Sequence, residues 1–325
     1  MAGWTRRRSG RGFRYLDEQG RPLTPEQVAR VRALVIPPAW QEVWICPLPH
    51  GHLQATGMDA AGRRQYLYHP RWRELRDRQK FDRVATAALR LATARRQIAT
   101  DLGRGGMPLQ RAAAAAVRLL DLGYFRIGND YYADANGSFG LTTLRRSHVR
   151  RRGDALAFRF AGKSGIEHRV LIEDAAAIEA LGAMRRRRGG DRLLAFRDGR
   201  EWRDLSWAAV NGYLTELFGG GFTAKDFRTW HATVLFAAAL AGSPREGSAA
   251  GRKRAVRSAV VEVAAYLGNT PAVARGSYID PRILDRWEAG ESIAAAAARS
   301  YRTPQQRQAA LESAVLDLLG VSAAG

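Results

Sequence analysis

Apolar and polar residues alternate over the first eighty or so positions and recur at helical spacing afterwards, and this change of period divides the chain. Phe13-Arg14-Tyr15-Leu16 predicts a strand that ends in a turn at Glu18-Gln19-Gly20. Thr24-Pro25-Glu26-Gln27 supplies an N-cap, a proline at the first helical position and a capping-box glutamine, so a short helix is expected through Leu34. Pro37-Pro38 stops it. Val43-Trp44-Ile45-Cys46, His52-Leu53-Gln54-Ala55-Thr56 and Arg64-Gln65-Tyr66-Leu67-Tyr68 then predict three strands separated by Pro/Gly turns.

From Trp72 the pattern turns helical through Leu120, with Gly103–Pro108 as a loop between helices. A second strand-like patch runs from Tyr131 to Leu171. Its turn signals, Asn136-Gly137, Arg152-Gly153-Asp154 and Gly162-Lys163-Ser164-Gly165, predict three antiparallel strands. Beyond Glu173 nearly everything reads as helix, with loops at Arg185–Gly190 and Gly219-Gly220-Gly221. The expected class is therefore α+β: a small, mainly antiparallel β domain over 1–82, then a larger, mainly α domain over 83–325 with a three-stranded β patch. A length of 325 residues suits two domains, and no internal repeat is present.

Charge changes the picture. The 52 Lys and Arg outnumber the 31 Asp and Glu, leaving +21 at pH 7, a field that attracts polyanions and above all nucleic acid. Cys46 is the only cysteine, which excludes an internal disulfide and a cysteine-based zinc site and suits a reducing cytoplasm. Arg6-Arg7-Arg8 follows the N-terminus without the apolar stretch of a leader, and the apolar runs fall far short of the roughly 20 residues of a membrane span. The expectation is a soluble, cytoplasmic protein with no membrane contact.

The usual marks of metal- or nucleotide-dependent chemistry are missing. Gly162-Lys163-Ser164 resembles the end of a phosphate-binding loop, but the glycine required five positions earlier is Ala157. Cys46, His50 and His52 are spaced like ligands, yet they surround Pro47 and Pro49 with no fourth ligand in reach. No clustered Asp/Glu pattern for two magnesium ions is apparent, so no cofactor is expected. What remains is cationic and phenolic. Arg126 lies in Gly123-Tyr124-Phe125-Arg126-Ile127-Gly128, and Lys163 sits at a hairpin tip. Arg228 opens a helix whose apolar positions Phe227, Trp230, Val234 and Leu235 read as one amphipathic face; a cation there opposes the helix dipole unless an anion compensates. Phosphoryl transfer needs a nucleophile, neutralisation of the non-bridging oxygens and a proton for the leaving oxygen, and arginines with a lysine can do the last two.

Taken together, Gly51-His52 through Pro70, Gly123 through Val149, Phe160-Ala161-Gly162-Lys163, Lys225-Asp226-Phe227-Arg228-Thr229, and Leu267-Gly268-Asn269-Thr270-Pro271 to Tyr278 resemble, in order, the type IB DNA topoisomerases, specifically their compact poxvirus and bacterial branch. The resemblance implies a β-rich domain and a helical catalytic domain of tyrosine-recombinase-like fold that close around double-stranded DNA as a C-shaped clamp. It implies that Tyr278 attacks the scissile phosphate and becomes linked to the 3′ end. Arg126 and Arg228 would then hold the non-bridging oxygens, and Lys163 would protonate the departing 5′ oxygen. Asn269, nine residues before Tyr278, stands where poxviral and eukaryotic members have histidine. An amide can donate to a phosphate oxygen but cannot carry a proton, so this position would serve oxyanion stabilisation. Lys225 matches a supporting lysine. Arg63, Tyr66 and Tyr68 match the segment that enters the major groove, joined by Tyr132 from the catalytic domain.

A free tyrosine titrates near ~10, so the guanidiniums must also favour the phenolate. The phosphotyrosine conserves the diester's energy, and neither ATP nor metal would be required. Two other readings stay open. Tyrosine recombinases share the nucleophile, but they typically carry His-x-x-Arg-His around the second arginine, where this chain has Lys225 and Thr229. The other is a basic, non-enzymatic DNA-binding protein.

Overall fold

Thr24 and Gln27 close the capping box that the sequence announces: the Gln27 side chain accepts from the Thr24 amide at 2.9 Å, and the Thr24 hydroxyl accepts from the Gln27 amide. This starts helix α1 (Pro25–Ala33) in the computed structural model, which describes residues 2–123, 125–128, 133, 137–243 and 248–322. The helix covers an antiparallel sheet of order β2-β1-β3-β4-β5, formed by β1 (Trp4–Ser9), β2 (Gly12–Leu16), β3 (Gln41–Ile45), β4 (Leu53–Met58) and β5 (Arg64–Tyr68). Trp4, Leu23, Val31, Val43, Ile45 and Ala55 make the core between them. Together these elements form the first of two units, residues 1–80.

The strand β1 is unforeseen by the hydrophobic pattern. Its Arg6-Arg7-Arg8 run shows no alternation, yet it pairs with both β2 and β3. Arg6 explains how: its guanidinium lies 4.2 Å from the centre of the Phe13 ring and donates to the carbonyls of Ile36, Pro37 and Trp40, clasping the loop after α1. A long charged side chain thus does the work expected of an apolar one.

The second unit, residues 81–325, is built around α4 (Leu109–Gly123). Ala112 to Ala116 are all buried, so this helix is enclosed on every side, and small side chains let its neighbours approach closely. Those neighbours are α3 (Leu91–Leu102), α5 (Ala175–Arg186), α6 (Trp207–Phe218), α7 (Ala224–Ala241) and strands β8 (Glu167–Ile172) and β9 (Ala195–Asp198). The second sheet, β6 (Val149–Arg152), β7 (Ala155–Ala161) and β8, is the expected antiparallel trio, with Phe160 opposite His168. Helix α2 (Pro70–Ala88) precedes this core, and α8 (Ala249–Leu267), α9 (Pro271–Ser277), α10 (Arg282–Ala289), α11 (Ala294–Ala298) and α12 (Pro304–Leu318) complete it. The α+β class expected from the sequence is the one the chain adopts.

Two expectations need correction. The region after Glu173 contains a hairpin, β9 with β10 (Glu201–Asp204), turning at Gly199 with φ +60°. Its strands are four residues long and largely charged, so only Phe196 and Trp202 carry the period of two. Helix α7 is not amphipathic; it is buried around most of its circumference, including Asp226, Arg228, Thr229, His231 and Thr233. A helix of that kind must satisfy each polar group inside the protein or present it to a ligand.

Candidate active site

Four short structures bring the cationic and phenolic candidates toward one another. The first follows α4. Backbone amides of Leu141 and Thr142 donate to the carbonyls of Arg126 and Ile127, each at 2.8 Å, and pin this segment flat against the chain at 140–142. Gly128 and Gly140 touch where the two cross; a Cβ on Gly140 would lie 2.4 Å from the Gly128 Cα. Arg126 is thereby presented from a fixed backbone rather than from a helix end.

The second is the joint between α8 and α9. Gly268 ends α8 in the left-handed conformation, φ +59°, Thr270 caps α9, and Pro271 takes its first position. Asn269 is held between the two helix ends, its amide donating to Ala264 at 2.9 Å. Its side-chain oxygen accepts from Arg126 Nη2 at 2.6 Å, and the same guanidinium nitrogen donates to the Gly268 carbonyl at 3.1 Å. The Asn269 side-chain nitrogen, Nδ2, is buried and has no hydrogen-bond partner.

Arg228 comes from the first turns of α7 and is only 3% exposed. Its Nη2 donates to the Leu267 carbonyl at 2.8 Å, and its guanidinium carbon sits 5.3 Å from the centre of the Tyr278 ring. Tyr278 is half-buried at the end of α9. Its carbonyl lies 3.3 Å from the Thr233 hydroxyl, which accepts from the Asp280 amide at 3.1 Å and so ties this segment to α7. Arg126, Arg228, Asn269 and Tyr278 are therefore linked into one cluster. Lys225 lies on the first turn of α7 with an exposed side chain, close enough to act on the phenol.

Among the described residues, no carboxylate acts on Arg126 or Arg228. Burial pushes the Tyr278 phenol up, but Arg228 above all, with Lys225 and Arg126, outweighs it and leaves the phenol below its ordinary value. Burial, reinforced by the neighbouring Arg126, pushes Arg228 down to about 10, which still leaves it cationic at neutral pH. Burial also lowers Arg126, and Tyr278 only partly offsets this. The acceptors described for Arg126 are all neutral. Elsewhere in this unit buried and half-buried arginines meet carboxylates: Arg95 pairs with Asp121 and Glu312, Arg118 with Asp174, and Arg111 with Glu179. A cluster that is cationic, partly enclosed and lined by the unpartnered side-chain nitrogen of Asn269 is arranged to receive an anion.

Lys163 occupies the turn between β7 and β8 with its side chain exposed. Gly162, the residue before it, backs onto His168, whose Nε2 lies 3.2 Å from Arg126 Nη1. His168 belongs to this cluster, yet sequence reasoning passed over it. The only available signal is that strand alternation places it on the inner face of β8 with Val170 and Ile172. Among the described residues, no group of three or more His, Cys, Asp or Glu is placed to hold a metal ion, and Cys46, His50 and His52 form no such group.

In the first unit Tyr66 and Tyr68 share the outward face of β5, an edge strand, 49% and 40% exposed and stacked with ring centres 6.1 Å apart. Arg63 is exposed in the turn before them and pairs with Asp59 at 2.8 Å. Tyr132 lies outside the described residues, as do Tyr131 and Asn136.

A small antiparallel β unit, followed by a helical unit that gathers two arginines, an asparagine and a tyrosine into one cationic cluster, defines a class of chain that comparison with known proteins makes specific. Residues 69–298 match the family described as "Eukaryotic DNA topoisomerase I, catalytic core", and residues 12–59 match "Bacterial DNA topoisomerase IB, N-terminal domain". The chain belongs to the type IB DNA topoisomerase family. It is 30% identical over 302 residues to "DNA topoisomerase 1B" of Acanthamoeba polyphaga mimivirus, covering 89% of this chain and 88% of that relative. It is 29% identical over 143 residues to "DNA topoisomerase 1" of Schizosaccharomyces pombe, 43% of this chain and 16% of that much longer relative.

Proposed function

We propose that this chain relaxes supercoiled duplex DNA by transiently cutting one strand, as a monomer of the compact poxvirus-like and bacterial branch, without ATP or metal. The Tyr278 oxygen attacks the scissile phosphorus as its proton passes to solvent water. A phosphorus–oxygen bond to tyrosine forms, the bond to the 5′ oxygen breaks, and the 3′ end stays covalently attached. Lys163 gives a proton to the departing oxygen. Arg126, Arg228 and the free amide hydrogens of Asn269 neutralise the non-bridging oxygens, whose charge is greatest in the transition state. Lys225 adds to the field that favours the phenolate. Religation is the reverse attack by the 5′ hydroxyl after the strand has swivelled. Arg63, Tyr66, Tyr68 and Tyr132 contact the duplex.

The observation that carries this reading is the pairing of a depressed phenol with two guanidiniums and an unpartnered amide. A tyrosine placed for packing alone would have no use for that environment. Incubation with negatively and positively supercoiled plasmid in EDTA tests it: both should relax, and denaturation should trap protein on the 3′ end. Tyr278→Phe is expected to bind DNA with unchanged affinity and to give no adduct, a loss of at least about 10⁴-fold in rate since the nucleophilic oxygen itself is gone. Full relaxation by Tyr278→Phe would refute the proposal. Relaxation that requires two paired specific sites would point instead to a recombinase.

A further inference from the structure

His168 occupies a slot made for an imidazole. Its ring stacks on Phe160 of β7, with centres 5.3 Å apart and planes 15° from parallel. On either side the backbone carries no side chain: a Cβ on Gly162 would come within 2.4 Å of the His168 Cδ2, and one on Gly268 within 2.6 Å of its Cε1. Those two glycines begin the Lys163 turn and the Asn269 joint, so the ring is wedged between the supports of two candidate catalytic groups while facing a third, Arg126.

We propose that His168 is a positioning residue, a neutral acceptor that holds Arg126 in place for the phosphate and makes strand cleavage fail in acid. This rests on reading Arg126 as a phosphate-binding group. A guanidinium only donates, so the 3.2 Å contact between Arg126 Nη1 and His168 Nε2 requires a lone pair on Nε2 and the ring proton on Nδ1. Protonation would set N–H against N–H and place a third cation beside Arg126 and Arg228.

The charges acting on the ring are Arg126 and Arg228, both positive. Phe160, Gly162 and Gly268 contribute none. On β8 itself the flanking Glu167 and Arg169 are exposed on the other face, where Glu167 is held by Arg159 at 2.6 Å and by Arg169 at 2.7 Å. Among the described residues, no carboxylate acts on this ring to stabilise an imidazolium. Burial, then Arg126, then Arg228 hold the ring's pKa below the ordinary histidine value, so His168 is neutral at physiological pH and charges only in more acidic solution. When it does, Arg126 loses its acceptor and is repelled.

The test is single-turnover adduct formation on a nicked duplex that cannot religate, followed across pH 5 to 8 for the wild type and two variants. His168→Phe keeps the stack and removes the acceptor; it should cut the rate at pH 7.5 by about ten- to a hundredfold with little change in DNA affinity, as for loss of one charge-assisted hydrogen bond. His168→Gln restores an acceptor that cannot titrate. It should recover much of the rate lost in His168→Phe and lack the acid-side fall of the wild type. A full rate in His168→Phe, or an unchanged acid limb in His168→Gln, overturns the inference.

A second measurement needs no activity. Nitrogen-15 NMR of the wild-type ring should find the proton on Nδ1 and a midpoint below the usual histidine value that rises in Arg126→Ala. A proton on Nε2 overturns the proposal. An Nδ1 proton with no Tyr278-dependent adduct at any pH would sink the cleavage reading while leaving the His168–Arg126 pair standing.

Discussion

Asn269 makes one strong hydrogen bond through its oxygen, to Arg126 at 2.6 Å, and leaves its buried nitrogen unpartnered. An unsatisfied buried donor costs roughly 1–3 kcal/mol, a stability given up at a position where another residue would be more comfortable. Aspartate would be: Asn269→Asp removes the orphan donor and converts the 2.6 Å contact into an ion pair with Arg126. We expect this variant to melt higher than the wild type and to cleave at least about a hundredfold more slowly, because its carboxylate both occupies Arg126 and repels the phosphate. A lower melting temperature or undiminished cleavage would contradict the account. The opposition between comfort and use also explains what could be read at this scale. Arg126, Arg228, Asn269 and Tyr278 stand in segments whose order along the chain resembles a known family, and the structure gathers all four. His168 lies outside those segments, five residues beyond Lys163, and its importance comes from Gly162 and Gly268, which lie together only after folding.

At the scale of elements, legibility followed the local chemistry. The Thr24–Gln27 box is written in a short stretch of sequence and folds as written, whereas the Gly268-to-Pro271 joint, though equally local in its glycine, threonine and proline, went unread. β1 and the β9–β10 hairpin were missed because their pairing partners, not their own alternation, make them strands. Equally invisible in sequence is the network that joins α12 to α7. Arg95 on α3 bonds Asp121 at 2.8 Å and Glu312 at 2.6 Å, Asp121 faces His231 at 3.3 Å, and Gln308 joins Glu312 at 2.8 Å. Removing one partner of such a buried set costs about 3–5 kcal/mol. Glu312→Ala should therefore lower the melting temperature and speed hydrogen exchange first in α12; exchange unchanged there would show that the helix is held by packing alone. Burial pushes the Asp121 carboxyl up, but Arg95 and His231 outweigh it and leave it well below the ordinary value. For a carboxylate depressed in the folded state, the stabilisation is complete above the unfolded value of 3.8 and is lost only as pH falls through the folded one. This lock outlasts mild acid, in which the His168 contact is expected to fail.

At the scale of the whole molecule, the 52 Lys and Arg residues are divided between two uses. Arg95, Arg118 and Arg282 are bound to internal carboxylates. Arg150, Arg151 and Arg152 on β6, like Arg7 and Arg8 on β1, are exposed. DNA affinity should accordingly fall steeply with salt, with a log–log slope of magnitude roughly 5 or more at about 0.9 per phosphate neutralised, yet well short of the formal charge. A slope near about 1 by fluorescence anisotropy would mean that the basic surface is not a DNA footprint. Through Thr233 the segment of Tyr278 is also fastened to α7, a helix buried around most of its circumference. Under the proposed chemistry, a strand tethered at that oxygen and twisting under torsional load would pull on the hydrophobic interior itself, through an anchor as stiff as the body it is set in.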